Sequence, residues 1–252
     1  MLLDIDGVLA VSWEAVPGAV GTLGWLRAEG IPFRLITNTT THTRADLAAT
    51  LAAAGLKVLA AEIVTAVVAT AAFLRERHPG APVFVLSDGD AGEDLEGVQR
   101  VERPVDADVI VVGGACEEFT YPTMNAIFQR LMDGANLVCM HRNQYWRTAG
   151  GWQLDAGAYI AGLEEATGRA AVICGKPAAA YFEQALAPLG IPADRAAMVG
   201  DDLVNDVRGA QAAGMTGVLV RTGKFRPSDL QTAGGTPDHL LDSIADLPDL
   251  LT

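Results

Sequence analysis

The sequence predicts an α/β fold, a mostly parallel sheet covered by helices with a second α/β module inserted into it, and three observations predict it. Short apolar runs rich in β-branched residues alternate with stretches of helical period. Four strand ends carry polar or glycine-rich sequence: DIDG (4–7), TNTT (37–40), GKP (175–177) and GDDLVND (200–206). The middle of the chain holds a complete set of strands and helices of its own, enough to bury its own faces.

In order, LLD (2–4) reads as the first strand and FRLIT (33–37) as the second. A helix over 43–54 follows, with Leu47 and Leu51 one turn apart and Thr43 and Asp46 in a capping-box pattern. The middle module reads as strands VFVLS (83–87) and VIVVG (109–113), then a helix with Ile127, Phe128, Leu131 and Met132 facing inward. Strand LVCMH (137–141) and a helix near 158–167 complete it. Beyond it, Phe182, Ala185, Leu186 and Leu189 follow the i, i+3, i+4, i+7 spacing of a buried helix face. AMVG (197–200) and TGVLV (216–220) return to the first sheet. Junctions at HPGAP (78–82) and GRAA (168–171) give a main module of 1–78 and 173–252 and an inserted one of 79–172.

With 252 residues the chain can bury one large core or a core domain plus a smaller one. Its 18 basic and 31 acidic residues give a net charge of −13, and no Lys/Arg stripe interrupts that balance. Nucleic-acid backbones and anionic membranes are therefore excluded as partners, and small solutes or a metal that offsets local acid are favoured. Cys116, Cys139 and Cys174 are odd in number and sit in apolar runs, the pattern of reduced, buried thiols in a cytoplasmic protein. The apolar start is broken at once by Asp4 and Asp6, unlike a signal peptide, and no run approaches the roughly 20 apolar residues of a membrane span.

In an open parallel sheet, ligands bind beyond the carboxyl ends of the strands. Gathered there, Asp4, Asp6 and Asp201 would repel one another unless a hard cation lay among them, and carboxylates with water are the ligand set of Mg²⁺. Asp4 can then act as a nucleophile on phosphorus, and Asp6, two residues on, can protonate the leaving oxygen and deprotonate the attacking water. Thr37 offers a hydroxyl and Asn38 a backbone amide to the phosphoryl oxygens, and Lys176 supplies fixed positive charge. Alone, each motif reads equally well as a turn or a helix start. Together, in this order, they describe a phosphoryl-transfer site.

The four motifs DIDGVL, LITNTT, GKP and GDDLVNDV resemble the haloacid dehalogenase (HAD) superfamily of phosphohydrolases over essentially the whole chain. The resemblance implies a HAD-like Rossmannoid core with a C2-type cap, and a Mg²⁺-dependent phosphatase working through an aspartyl-phosphate on small phosphorylated metabolites. It implies Asp4 as nucleophile, Asp6 as acid/base, and Mg²⁺ held by Asp4, the Asp6 carbonyl and Asp201. Thr37, Asn38 and Lys176 would contact phosphate, and Asp206, with Asp202 beside it, would orient Lys176 or a water on the metal. Val8, Thr39 and the stretch LDAGAY (154–159) depart from the commonest family patterns and bear on the substrate rather than on the chemistry.

Specificity is expected from the cap, where His141, Asn143 and Tyr145 alternate along HRNQYW; the same residues also fit a solvated hairpin around the turn at 148–151. Hydrolysis of P–N or P–O–P bonds is the alternative activity, and a phospho-accepting signalling or binding protein the alternative of another class. Receiver-like domains, however, place their acid pair and phosphoacceptor on separate strands and lack an inserted cap. Assembly into homo-oligomers is left open. Only three residues precede Asp4, where about five are typical of a strand, so either the natural product starts upstream or the sheet has a weakened floor.

Overall fold

The computed structural model describes residues 1–89, 92–148, 151–232 and 235–252. A six-stranded sheet runs in the order His239–Leu241, Thr216–Val220, Ala197–Gly200, Leu2–Asp4, Arg34–Thr37, Ile63–Thr65. The first strand is central, parallel to both neighbours, with Leu3 opposite Val199 on one side and Leu35 on the other. Leu2 and Leu3 point to opposite faces, yet neither is exposed, as expected for a strand covered on both sides. One face packs Leu3, Leu35, Val199 and Val218 against Leu23 and Leu26 of helix Ala19–Ala28 and Leu47 and Leu51 of helix Arg44–Ala53. Each such buried leucine contributes about 1.5–3 kcal/mol. Pairing continues one residue upstream of the strand: Arg34 N–H donates to the Met1 carbonyl at 3.0 Å, and the Met1 amine donates to the Pro32 carbonyl at 2.6 Å.

The middle of the chain builds a second, parallel sheet in the order Val172–Ile173, Asn136–Cys139, Val109–Val112, Val83–Leu86. Strand Val109–Val112 shows why it needs helices on both faces. Ile110 and Val112 join Ile127 and Leu131 of helix Tyr121–Met132 and Ile160 and Leu163 of helix Ala156–Thr167. Val109 and Val111, pointing the other way, join Ala66, Val67, Ala71 and Leu74 of helix Ala66–Arg77. That helix therefore belongs by packing to the second sheet. The chain divides into one unit of Met1–Thr37, Arg44–Val64 and Lys176–Thr252 and another of Asn38–Thr43 and Thr65–Gly175.

Two expected buried faces are narrower than the periodicity suggests. Met132 is 56% exposed because the buried stripe of its helix runs through Met124, Ile127, Phe128 and Leu131, and Met132 lies past its edge in the last position. Helix Ala179–Leu186 stops short of Leu189, which is half-buried in a 3₁₀ turn containing Pro188, a residue with no N–H to continue the helix. An antiparallel ribbon pairs Tyr145–Thr148 with Gly151–Leu154, and residues 149 and 150 of the expected turn lie outside the described residues. Among the described residues no helix is long and apolar enough to cross a membrane.

Candidate active site

Strand Leu2–Asp4 ends in a tight turn in which the Ile5 carbonyl accepts from the amides of Leu9 and Ala10, both at 3.0 Å. Gly7 makes the turn possible: its φ is +84°, and a Cβ there would lie 2.0 Å from Asp201 Oδ2. The turn leaves Asp4 4% exposed and Asp6 open to solvent.

Asp4 meets two acids from the segment after strand Ala197–Gly200, and ligand oxygens of Asp4, Asp201 and Asp206 lie within 4.8 Å of one another. Lys176 Nζ sits 2.7 Å from Asp4 Oδ1 and 2.6 Å from Asp206 Oδ1. Two of the three buried carboxylates, Asp4 and Asp206, thus share one buried ammonium. Burial, reinforced by the Asp4 charge, pushes Asp201 up to about 8 and Asp206 up to about 7. Asp4 is also raised by burial, against the pull of Lys176. Burial opposes the Lys176 charge, but Asp206 and Asp4 hold it well above the ordinary lysine value. Asp201 Oδ1 is buried with no hydrogen-bond partner. A residue with an unpaired carboxylate oxygen, grouped with two more carboxylates, gives a donor set suited to a hard cation. Asp206 stands in this trio by its carboxylate, whereas the sequence reading gave it a supporting place.

Local structure fixes each acid. Asp202 caps the π-helical turn Leu203–Arg208: its Oδ1 accepts from Val204 N at 3.0 Å and Asn205 N at 2.9 Å. Burial opposes ionisation of Asp202, but the Asn205 amides outweigh it and hold the pKa below the usual carboxylate value. In return Asp202 N–H donates to Asp206 Oδ2 at 3.0 Å, aiming the other oxygen at Lys176. Gly200 is required beneath, since a Cβ would lie 2.2 Å from that of Asp206. Thr37, 2% exposed, ends strand Arg34–Thr37.

Sequence reasoning missed two contributors. The segment after strand Thr216–Val220 closes over the turn: Thr222 Oγ1 donates to the Gly7 carbonyl at 2.5 Å, and Lys224 N–H donates to Asp201 Oδ2 at 2.6 Å. Burial lowers the Lys224 ammonium's pKa, but Asp201 and Asp4 raise it above the ordinary value overall. The signal was present, for RTGK is a fifth polar, glycine-bearing strand end. The other contributor, Tyr181, opens the segment whose apolar face is read from Phe182 onward, and the residue pattern assigns it no role of its own.

The cap candidates are not presented alike. His141 is 3% exposed, and its Nδ1 accepts from Asn143 N–H at 3.3 Å. Asn143 is half-buried, and its carbonyl accepts from Gly157 N–H at 2.8 Å, tying the loop to helix Ala156–Thr167. Tyr145 is 58% exposed, its ring edge-on to Trp152 at 5.4 Å. Asn38 turns its side chain toward Gly175, where a Cβ would lie 2.6 Å from Asn38 Oδ1. The three cysteines are free; Cys139 and Cys174 are buried as expected, whereas Cys116 is only half-buried, and desolvation pushes all three thiols up to about 12.

A family model described as haloacid dehalogenase-like hydrolase matches residues 1–99, and one described as HAD-hydrolase-like matches 173–247. The chain is 36% identical to haloacid dehalogenase-like hydrolase domain-containing protein 2 of Homo sapiens, over 94% of this chain and 89% of that protein. It is 35% identical to phospholysine phosphohistidine inorganic pyrophosphate phosphatase of Bos taurus, over 100% of this chain and 93% of that protein. Among solved structures, the p-nitrophenyl phosphatase from Archaeoglobus fulgidus superposes with a TM-score of 0.92 at 28% identity, covering 99% of this chain and 97% of that one. With Asp4 and Asp6 at the turn after strand Leu2–Asp4, Asp201 and Asp206 after the neighbouring strand Ala197–Gly200, Lys176 between Asp4 and Asp206, and relatives of this similarity along its length, the chain belongs to the haloacid dehalogenase-like hydrolases.

Proposed function

We propose that the protein is a Mg²⁺-dependent phosphatase that hydrolyses small phosphorylated metabolites through an aspartyl-phosphate on Asp4. The observation that carries this reading is Asp4 itself, a buried carboxylate within 4.8 Å of Asp201 and Asp206 and in contact with Lys176. Asp4, Asp201 and the Asp6 carbonyl would hold the metal, a role the partnerless Asp201 Oδ1 supports. When bound, Mg²⁺ supplies the positive charge that lets carboxylate and phosphate approach.

An Asp4 oxygen attacks phosphorus, the bond from phosphorus to the leaving oxygen breaks, and Asp6 gives that oxygen its proton. Asp6, now a carboxylate, takes a proton from water as the water attacks the aspartyl-phosphate, releasing inorganic phosphate and restoring Asp4. Lys176 holds Asp4 in place and neutralises charge on the phosphoryl oxygens, which Thr37 and the Asn38 amide also bind. Asp206 orients Lys176, and Asp202 orients Asp206. The inserted module, read over 79–172, acts as the cap, and His141, Asn143 and Tyr145 are its candidates for choosing the leaving group.

A second reading, hydrolysis of phosphohistidine, phospholysine or pyrophosphate, draws on the 35% identity to the phosphatase of that name. Both readings use the same core. A phosphometabolite screen with and without Mg²⁺, extended to phosphoramidates and pyrophosphate, separates them. Asp4→Asn should lose turnover by several powers of ten while keeping its fold, because the carboxylate that forms the covalent intermediate is gone. Substantial activity in pure Asp4→Asn protein would sink the mechanism.

A further inference from the structure

Tyr181 is fully buried, and its hydroxyl does more than pack. It accepts from Thr37 N–H at 3.1 Å and faces two carbonyls, Val64 at 2.7 Å and Thr37 at 2.9 Å, between which its one proton is shared. The phenol thus joins the carboxyl ends of strands Arg34–Thr37 and Ile63–Thr65. Its helix, Ala179–Leu186, begins three residues after Lys176, so one short segment carries both the lysine and this brace.

We infer that Tyr181 is a positioning residue for phosphate binding, fixing the Thr37 backbone so that the Thr37 hydroxyl and the following amide meet the phosphoryl group. This rests on the reading of Thr37 and Asn38 as phosphate donors. The peptide unit after Thr37 is planar and trans, so its carbonyl and the Asn38 N–H point in opposite directions. Anchoring the Thr37 carbonyl on the phenol therefore sets the direction in which the amide is offered. Anchoring the Thr37 N–H on the same oxygen stops the residue turning about its own Cα. A phenylalanine fills the same space but supplies neither contact, so the loss falls on alignment rather than on packing.

The test compares Tyr181→Phe with Phe182→Leu, which trims the neighbouring ring of the same helix and leaves the Tyr181 hydroxyl and its hydrogen bonds to Thr37 in place. Inorganic phosphate is the probe, read as its Kd by calorimetry and as its inhibition constant against p-nitrophenyl phosphate, with melting temperature alongside. Tyr181→Phe should weaken phosphate binding about tenfold and raise KM more than it lowers kcat. Phe182→Leu should lower the melting temperature at least as far and leave phosphate binding within about twofold. Phosphate binding within about twofold of the parent in Tyr181→Phe, with the parent active, overturns this inference alone. A parent that neither binds phosphate nor hydrolyses phosphate esters overturns the phosphatase reading and this inference with it.

Discussion

Lys176 is held between Asp4 and Asp206 with 5% of its side chain exposed, and without it two buried carboxylates would face each other with no cation. Breaking one side of a buried ion pair costs about 3–5 kcal/mol, because the remaining charge is stranded. Lys176→Met should therefore lower stability by roughly that amount at pH 8 in EDTA, measured by urea unfolding. The deficit should shrink toward pH 5 as the stranded carboxylates take up protons, and an equal deficit at both pH values would mean that packing rather than charge was lost. Activity should fall at least about a hundredfold with Mg²⁺ present, as for loss of an electrostatic contact to a reacting phosphoryl group.

The turn Leu203–Arg208 illustrates an element whose cap serves both stability and the site. Asp202 satisfies the first free amides of the turn and, through its own N–H, holds the Asp206 carboxylate. Asp202→Ala should cost about 0.5–2 kcal/mol of stability, typical of a lost N-cap. It should also lower kcat, since Asp206 loses the order that keeps it on Lys176; Asp202→Asn, which keeps an acceptor for the turn, should recover most of the stability. Stability lost with kcat unchanged would show that the cap does not reach the site. The acids of this segment were readable as an acidic helix start. That one of them caps while another points inward depends on the backbone path, which the residue types do not specify.

Across the protein, the acid cluster links stability to pH and to metal. Asp201 and Asp206 have folded-state values of about 8 and 7, raised chiefly by burial, against an ordinary 3.8 in the unfolded chain. Between these limits the folded form holds protons that the unfolded form has released. Metal-free protein should therefore lose stability as pH rises from about 4 to about 8. A divalent cation held by the cluster would replace those protons, and its stabilisation would grow with its concentration over Kd. Melting curves in EDTA should fall across this window, and the gain on adding Mg²⁺ should be larger at pH 8 than at pH 5. A metal-free melting temperature that is flat or rises over the same range would contradict the buried, charge-poor cluster.

The parallel-sheet class, the strand ends and most residues of the acid cluster were legible in the sequence, because apolar β-branched runs, helical periods and polar strand ends are local signals. Asp4 and Asp201, 197 positions apart, could be placed together only because parallel strands deliver their carboxyl ends to one edge. Three things depended on packing. Helix Ala66–Arg77 joins the second sheet because Val109 and Val111 need a cover on that face, a demand invisible in the helix's own residues. His141 and Tyr145 look equivalent along an extended stretch, yet one is buried and the other exposed, since the chain stops being a strand at Cys139 and restarts at Tyr145. Tyr181 carries the same helical period whether its ring merely fills a core or its hydroxyl bridges Thr37 and Val64. Periodicity records which way a side chain points, and the partner waiting there comes from residues 117 and 144 positions away.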